Sequence, residues 1–304
     1  MSPARRAALA ILAAGFAFAA TEGLHRLGGA SPAQQPGWML SEYLDRLHRI
    51  DPANDTVFVG DSRVGWGVAD QIVSQSMQRG KAINLGLAAT SVTFQLNDIL
   101  KTFPAASGRI VINYSAASFF TFTGGFQSRY PETLAEDIDQ RIADWFSRNF
   151  ASAHSSPVRI LWRKPPAEDW GERTVFPEGF VNATLTHVTG HVSDPARHQL
   201  DYYRTIIAGL KTENAARRLL EIKTLVDRIR QRGWTVSMIA LPTGERMREV
   251  ESAIPHDLGA ASVARYLGLS LADFSADPRF PTQDESHLSP QGAIAIAPLL
   301  GSIH

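Results

Sequence analysis

Hydrophobic positions along the chain gather in short runs separated by polar stretches. Thr56 to Gly60 (TVFVG), Ala82 to Leu85 (AINL), Arg109 to Asn113 (RIVIN) and Trp234 to Leu241 (WTVSMIAL) are apolar and bounded by polar residues or glycine. Runs of this length and β-branched or aromatic content predict buried strands. Leu269 to Phe274 is a weaker fifth candidate. Between the runs the hydrophobic residues return at helical spacing, over Ala69 to Arg79, Thr93 to Thr102 and Asn214 to Arg232. In the last of these Ala215, Leu219, Ile222, Val226 and Ile229 form a stripe on one side of a helix, and Gly233 stands where a C-terminal cap is expected. Ser41 to Ile50 is also helical in spacing, with Tyr43, Leu44, Leu47 and Ile50 on one side. Short apolar strands alternating with amphipathic helices predict an α/β protein: parallel β-α-β units in a sheet covered on both faces.

This regularity breaks between Ser115 and Tyr203. The stretch carries a helical segment near Leu134 to Asn149, then irregular sequence with proline and tryptophan, and a polar alternating piece, Arg173 to Thr189, that fits a hairpin. Because it follows the third strand directly, residues 115–203 read as a large insertion over the carboxyl edge of the sheet, where loops shape binding sites. At the other extreme, Arg5 and Arg6 precede the uncharged run Ala7 to Ala20. A positive segment followed by a short apolar one is the pattern of an export signal, and Ala17-Phe18-Ala19 offers a small-x-small cleavage site. Uncleaved, the run would be a membrane anchor, though short against the ~20 residues of a full span. Either way the body lies outside the cytoplasm. Residues 1–25 are thus read as signal peptide or anchor, 26–50 as linker and helix, and 51–304 as the body.

Charge and composition narrow the function. Thirty Lys+Arg balance thirty Asp+Glu, which argues against nucleic-acid binding through bulk positive charge and against a polybasic membrane-surface protein. There is no cysteine, so disulfides, zinc knuckles, iron–sulfur clusters and thiol nucleophiles are excluded.

Two segments, far apart in the chain, carry chemistry. Gly60-Asp61-Ser62-Arg63 follows the first strand at once and precedes a helix. A serine there has backbone N–H groups and a helix N-terminus beside its hydroxyl. Asp284-Glu285-Ser286-His287 precedes an apolar terminal helix. Within one tight turn the aspartate can hold the imidazole tautomer while the histidine takes a serine proton. Arg63 is a candidate for holding an acidic or polar ligand, against the alternative of a solvated helix-surface arginine. Other groupings are weaker. His187, His191 and His198 with Asp194 have no H-E-x-x-H spacing and are interrupted by Gly190, so no metal site is expected. Gly124-Gly125 lacks the strand, helix and lysine of a phosphate cradle. Trp162, Trp170, Phe176 and Tyr202 offer either sugar stacking or hydrophobic fastening of the insertion.

With these residues in hand, the chain resembles the SGNH/GDSL hydrolase superfamily, through Gly60-Asp61-Ser62 after the first strand and Asp284 with His287 near the end. The resemblance covers Thr56 to Ser115 and Asn214 to His304. It implies a three-layer, flavodoxin-like parallel sheet and a Ser62–His287–Asp284 triad. It also implies an oxyanion hole from the Ser62 and Gly86 backbones, Gly86 lying in Asn84-Leu85-Gly86, with Asn113 as side-chain donor. The third block departs from the family pattern: Val111-Ile112-Asn113-Tyr114-Ser115 lacks the usual glycine and aspartate. The anchor and the Gly-Asp-Ser-Arg turn resemble the exported SGNH-like proteins of polysaccharide O-acylation systems. That subset implies an acyl ester donor, a glycan acceptor, a membrane-bound O-acyltransferase partner, a periplasmic body and no cofactor. The alternative is a non-catalytic subunit of the same fold that binds or assembles polysaccharide.

Overall fold

The computed structural model describes residue 43, residues 46–87, 90–121 and 194–303, and the backbone of 173–175 and 181–183. By its contacts the chain divides into two units, of which the one described below comprises Asp45–Thr133 and Asp169–His304. The runs Ala7 to Ala20 and Leu134 to Asn149, the glycine pair at 124–125, Trp162, Trp170, Phe176, His187 and His191 lie outside the described residues.

The body is α/β, built on a five-stranded sheet in which every pairing is parallel. Its strands are β1 (Thr56–Val59), β2 (Ala82–Asn84), β3 (Arg109–Asn113), β6 (Thr235–Ala240) and β7 (Leu271–Asp273), in the order β2-β1-β3-β6-β7. Between β3 and β6 a separate antiparallel hairpin pairs β4 (Arg173–Val175) with β5 (Val181–Ala183), inside the segment read as one. All five strands of the sheet coincide with the apolar runs. Strands buried on both faces read as continuous hydrophobic runs rather than alternating ones, and Val57, Phe58, Val111, Ile112 and Met238 are all fully enclosed. The strand order is that of a flavodoxin-like sheet, whose chain reverses its winding direction at β1 and β3. The crevice beyond the carboxyl ends of those two strands is where such sheets place ligands.

Helices cover both faces. On one, α1 (Ser62–Gly67), α2 (Asp70–Gln75) and the terminal α8 (Pro290–Gly301) pack on Phe58, Val111 and Ile239 through Val64, Val73 and Ile296. On the other, α5 (Thr212–Gln231) lies between α3 (Val92–Thr102) and α7 (Ala260–Leu267). The whole predicted stripe of α5 is buried, and just past the helix end Gly233 takes φ +98°, where a Cβ would stand 2.1 Å from Ala106 O.

The chain departs from the sequence reading between β3 and α5. A π-helical turn, Ala117–Thr121, leads away from β3, and a regular helix, α4 (Pro195–Ala208), follows the hairpin. The boundary expected at Tyr203 therefore falls inside a helix. Asp194 caps α4 by accepting from Arg197 N at 3.0 Å, and Pro195 sits in its first turn. Leu200, Tyr203, Ile206 and Ile207 of α4 form a cluster with Met247 and Val250 of α6 (Glu245–Glu251), a short helix between β6 and α7.

Candidate active site

The turn after β1 is built for close approach. A Cβ on Gly60 would stand 2.6 Å from Val64 Cγ2 and 3.2 Å from Asn113 Cβ, so only glycine lets α1 start this near the strand. Asp61 is the N-cap of α1: Oδ1 accepts from Arg63 N at 3.0 Å, and its carbonyl accepts from Val64 N and Gly65 N at 3.1 Å each. Gln95, buried in α3, donates Nε2 to Gly60 O at 2.8 Å and to Leu85 O at 2.7 Å, tying the exits of β1 and β2 together. Ser62 is thereby fixed as the first residue of α1, partly open to solvent. Its own N–H donates no hydrogen bond among the described residues.

The second segment closes on it from the far end of the chain. Asp284, buried, accepts from the backbone N–H groups of Ser286 at 3.1 Å and His287 at 2.7 Å through Oδ1. Its Oδ2 meets His287 Nδ1 at 2.7 Å. Burial pushes the Asp284 carboxyl up, but the charge of His287 and these hydrogen bonds outweigh it and hold the group below the usual carboxylate range. An ionised carboxylate only accepts, so Nδ1 carries the proton toward Asp284 and Nε2 is left as acceptor. Ser62 Oγ lies 2.8 Å from that Nε2. Ser62, His287 and Asp284 thus form one hydrogen-bonded line at the carboxyl edge of the sheet.

The Trp66 ring packs on this line. It is buried, with its centroid 4.4 Å from that of His287 at 54°. Four residues separate Ser62 from Trp66, one helical turn, which puts both on the face of α1 that meets the histidine. That spacing was the signal in the sequence, and it went unread.

Two expected site residues, Gly86 and Arg63, are placed otherwise, and Asn113 is engaged through its oxygen only. The Gly86 N–H, expected as an oxyanion donor, is donated to Asn84 Oδ1 at 2.8 Å. The reason for glycine is packing: a Cβ there would stand 2.0 Å from Gly65 N. Asn84 is the link between β2 and α1, its Nδ2 donating to Val64 O at 2.9 Å and Val68 O at 2.8 Å. Asn113, at the end of β3, is wholly enclosed, and its Oδ1 accepts from Leu241 N at 3.1 Å. Its Nδ2, the expected donor, has no hydrogen-bond partner among the described residues. Arg63 is neither solvated nor free for a ligand: it is 4% exposed and engaged by protein groups. Its Nη2 lies 2.7 Å from Glu251 Oε1, its Nε donates to Ser286 Oγ at 3.3 Å, and the guanidinium lies 4.7 Å above the Tyr203 ring. Burial raises the Tyr203 hydroxyl above its ordinary pKa, so the ring meets Arg63 as a neutral phenol.

Of the histidine group considered for a metal, Asp194 is the α4 cap and His198 is exposed on that helix. Among the described residues no three His, Asp or Glu side chains gather as metal ligands. Tyr202 is partly exposed on α4 with its ring against Tyr203, centroids 5.9 Å apart.

The arrangement supplies a hydroxyl nucleophile, a base hydrogen-bonded to it and a carboxylate orienting the base, which is the set that acyl transfer through a covalent serine intermediate requires. No family model matches the chain, and a comparison with curated proteins returns no relative.

Proposed function

We propose that the protein is a serine esterase or acyltransferase of the SGNH type, acting outside the cytoplasm on an acyl ester. The observation that carries this reading is the Ser62–His287–Asp284 line, with both contacts under 3 Å. Ser62 Oγ attacks the acyl carbonyl as His287 Nε2 takes the hydroxyl proton. The tetrahedral intermediate collapses as His287 returns that proton to the departing alkoxide, leaving an acyl-Ser62. Water or a sugar hydroxyl, deprotonated in turn by His287, then attacks the acyl carbon, and the acyl–Oγ bond breaks as His287 returns that proton to Ser62 Oγ. Asp284 holds the tautomer and balances the imidazolium formed in each half-reaction. The parallel sheet, with Ser62 at the carboxyl end of β1, supports the three-layer SGNH layout.

The oxyanion donors bear on which reaction is favoured. With Gly86 N–H engaged by Asn84 Oδ1, the Ser62 N–H and Asn113 Nδ2 are the donors of the expected set left without a partner among the described residues. Lack of one donor typically costs about 2.7–4 kcal/mol, or 100- to 1,000-fold in kcat. Slow cleavage in water suits a transferase, whose acceptor must be positioned and water excluded. The polysaccharide O-acylation reading follows: an acyl donor, a glycan acceptor and a membrane-bound O-acyltransferase partner, with the body held in the periplasm by the segment Ala7 to Ala20. The engaged Gly86 N–H is also what the second reading expects, a non-catalytic subunit that binds or assembles polysaccharide.

Release of the chromophore from a chromogenic acetyl ester, with and without glycan oligomers, separates the two. Ser62-dependent turnover that glycans accelerate supports the transferase. Fast turnover in water alone that no glycan improves leaves a plain esterase. No turnover in either condition, or turnover unchanged in Ser62→Ala, removes the catalytic reading.

A further inference from the structure

Arg63 and Ser286 are the immediate chain neighbours of Ser62 and His287, and they are hydrogen-bonded to each other. We propose that Arg63 is a positioning residue: through Ser286 it braces the turn that carries Ser62 against the loop that carries His287 and so sets the contact between them. The inference rests on the reading of Ser62 as nucleophile.

The geometry forms a closed circuit. From Arg63 the guanidinium reaches in two directions, with Nε on Ser286 Oγ and Nη2 on Glu251 Oε1. Glu251 is the last residue of α6, and at the opposite end of α6 the Gly244 N–H donates to Glu285 O at 2.8 Å. One short helix is therefore fastened at both ends to the same site, by its N-terminus to the histidine loop and by its C-terminus to the nucleophile turn. The Tyr203 ring closes the remaining face of the guanidinium. Arginine suits these demands, since its rigid planar fork addresses two acceptors in fixed directions while its face stacks on a ring, whereas an ammonium is a point charge without that fixed geometry.

Stability alone does not account for the arrangement. A buried ion pair is seldom more stabilising than well-packed apolar side chains of similar volume, but removing one partner of it is strongly destabilising. Fold stability and site geometry can therefore be separated. Arg63→Met leaves Glu251 unpaired and is expected to lower both Tm and kcat. Arg63→Met/Glu251→Met removes both charges and is expected to recover most of the Tm. It still lacks the tie to Ser286, so kcat is expected to stay about 10- to 100-fold below wild type with KM little changed, as for a misplacement of reacting groups by about 1 Å. Arg63→Lys is expected to behave like the double variant in kcat. Recovery of kcat together with Tm in the double variant overturns the proposal.

A crystal structure of the double variant reads the geometry independently of activity. The Ser62 Oγ–His287 Nε2 contact, 2.8 Å in the intact protein, is expected to open beyond about 3.5 Å. An unchanged contact overturns the brace even if the enzyme is active. If the wild-type chain turns over no ester, the catalytic reading fails, and the crystallographic result alone decides the brace. Should the double variant not fold, Ser286→Ala removes the same tie with the ion pair intact, and the same kinetic and structural criteria apply to it.

Discussion

Glu285 sits between the two functional residues of the histidine loop, and its backbone takes φ 70°, the only non-glycine residue among those described with a positive φ. The left-handed region costs an L-residue roughly 1–2 kcal/mol. One of its carboxylate oxygens, Oε2, is buried without a partner among the described residues, which adds about 1–3 kcal/mol. Glu285→Gly removes both penalties and raises unfolded-chain entropy, a loss of about 0.4–1 kcal/mol. The balance is a stabilisation of about 1–4 kcal/mol, read by urea unfolding and as a Tm increase of at least about 2 °C. The structure also specifies a partner for this effect. A Cβ on Gly244 would stand 1.9 Å from Glu285 Oε2 and 3.0 Å from Glu285 Cα. Gly244→Ala in the wild-type background must displace the carboxylate, at about 1–3 kcal/mol for overpacking. In the Glu285→Gly background most of that obstacle is gone. The four proteins of the cycle should therefore be non-additive by about 1–2 kcal/mol, well outside the ~0.5 kcal/mol seen for independent sites. Destabilisation by Glu285→Gly, or additivity of the two changes, would refute this account of the loop.

Three further outcomes follow from the site. Because the folded Asp284 carboxyl is held below its unfolded value, its contribution to stability is complete above the unfolded value of about 3.9 and is lost as pH falls through the folded value. Thermal unfolding of wild type and Asp284→Asn should accordingly differ at pH 5–6 and converge in acid; a constant difference would exclude the linkage. Trp66→Leu should lower kcat about 2- to 30-fold with KM little changed, since the ring face supports an imidazolium that exists only during the reaction, while Trp66→Phe keeps part of the effect; equal rates in all three would assign the ring to packing alone. A reporter fused after His304 should be active in the periplasm and silent in the cytoplasm, and equal activity in both would defeat the export reading.

What the sequence made legible was what local pattern determines. The five strands are continuous apolar runs because a parallel sheet is covered on both faces, and the α5 stripe and Gly233 mark a helix and its end in a way no distant contact alters. Asp284 and His287 are three residues apart, so their pairing follows from one turn. The differences at Arg63 and Gly86 are non-local. Arg63 looks like a surface charge because the group that buries it, Glu251, is 188 residues away. Gly86 has the residue type an oxyanion hole uses, but Asn84 Oδ1 engages its N–H, and that partner is invisible in sequence. For α4 the sequence carries a local start signal, Asp194-Pro195, but it stands behind a long irregular stretch with no helical spacing leading into it. α6, of seven residues, is too short for its periodicity to register.

The central claim is that Ser62 is a nucleophile driven by His287 and Asp284. Its most direct measurement is mass spectrometry of the full chain after exposure to an activated acyl ester or a serine-directed fluorophosphonate. The account predicts a single covalent adduct on the peptide that contains Ser62, absent in Ser62→Ala and formed far more slowly in His287→Ala. An adduct at a different residue, or none on Ser62 under conditions where the protein turns over an ester, would contradict it.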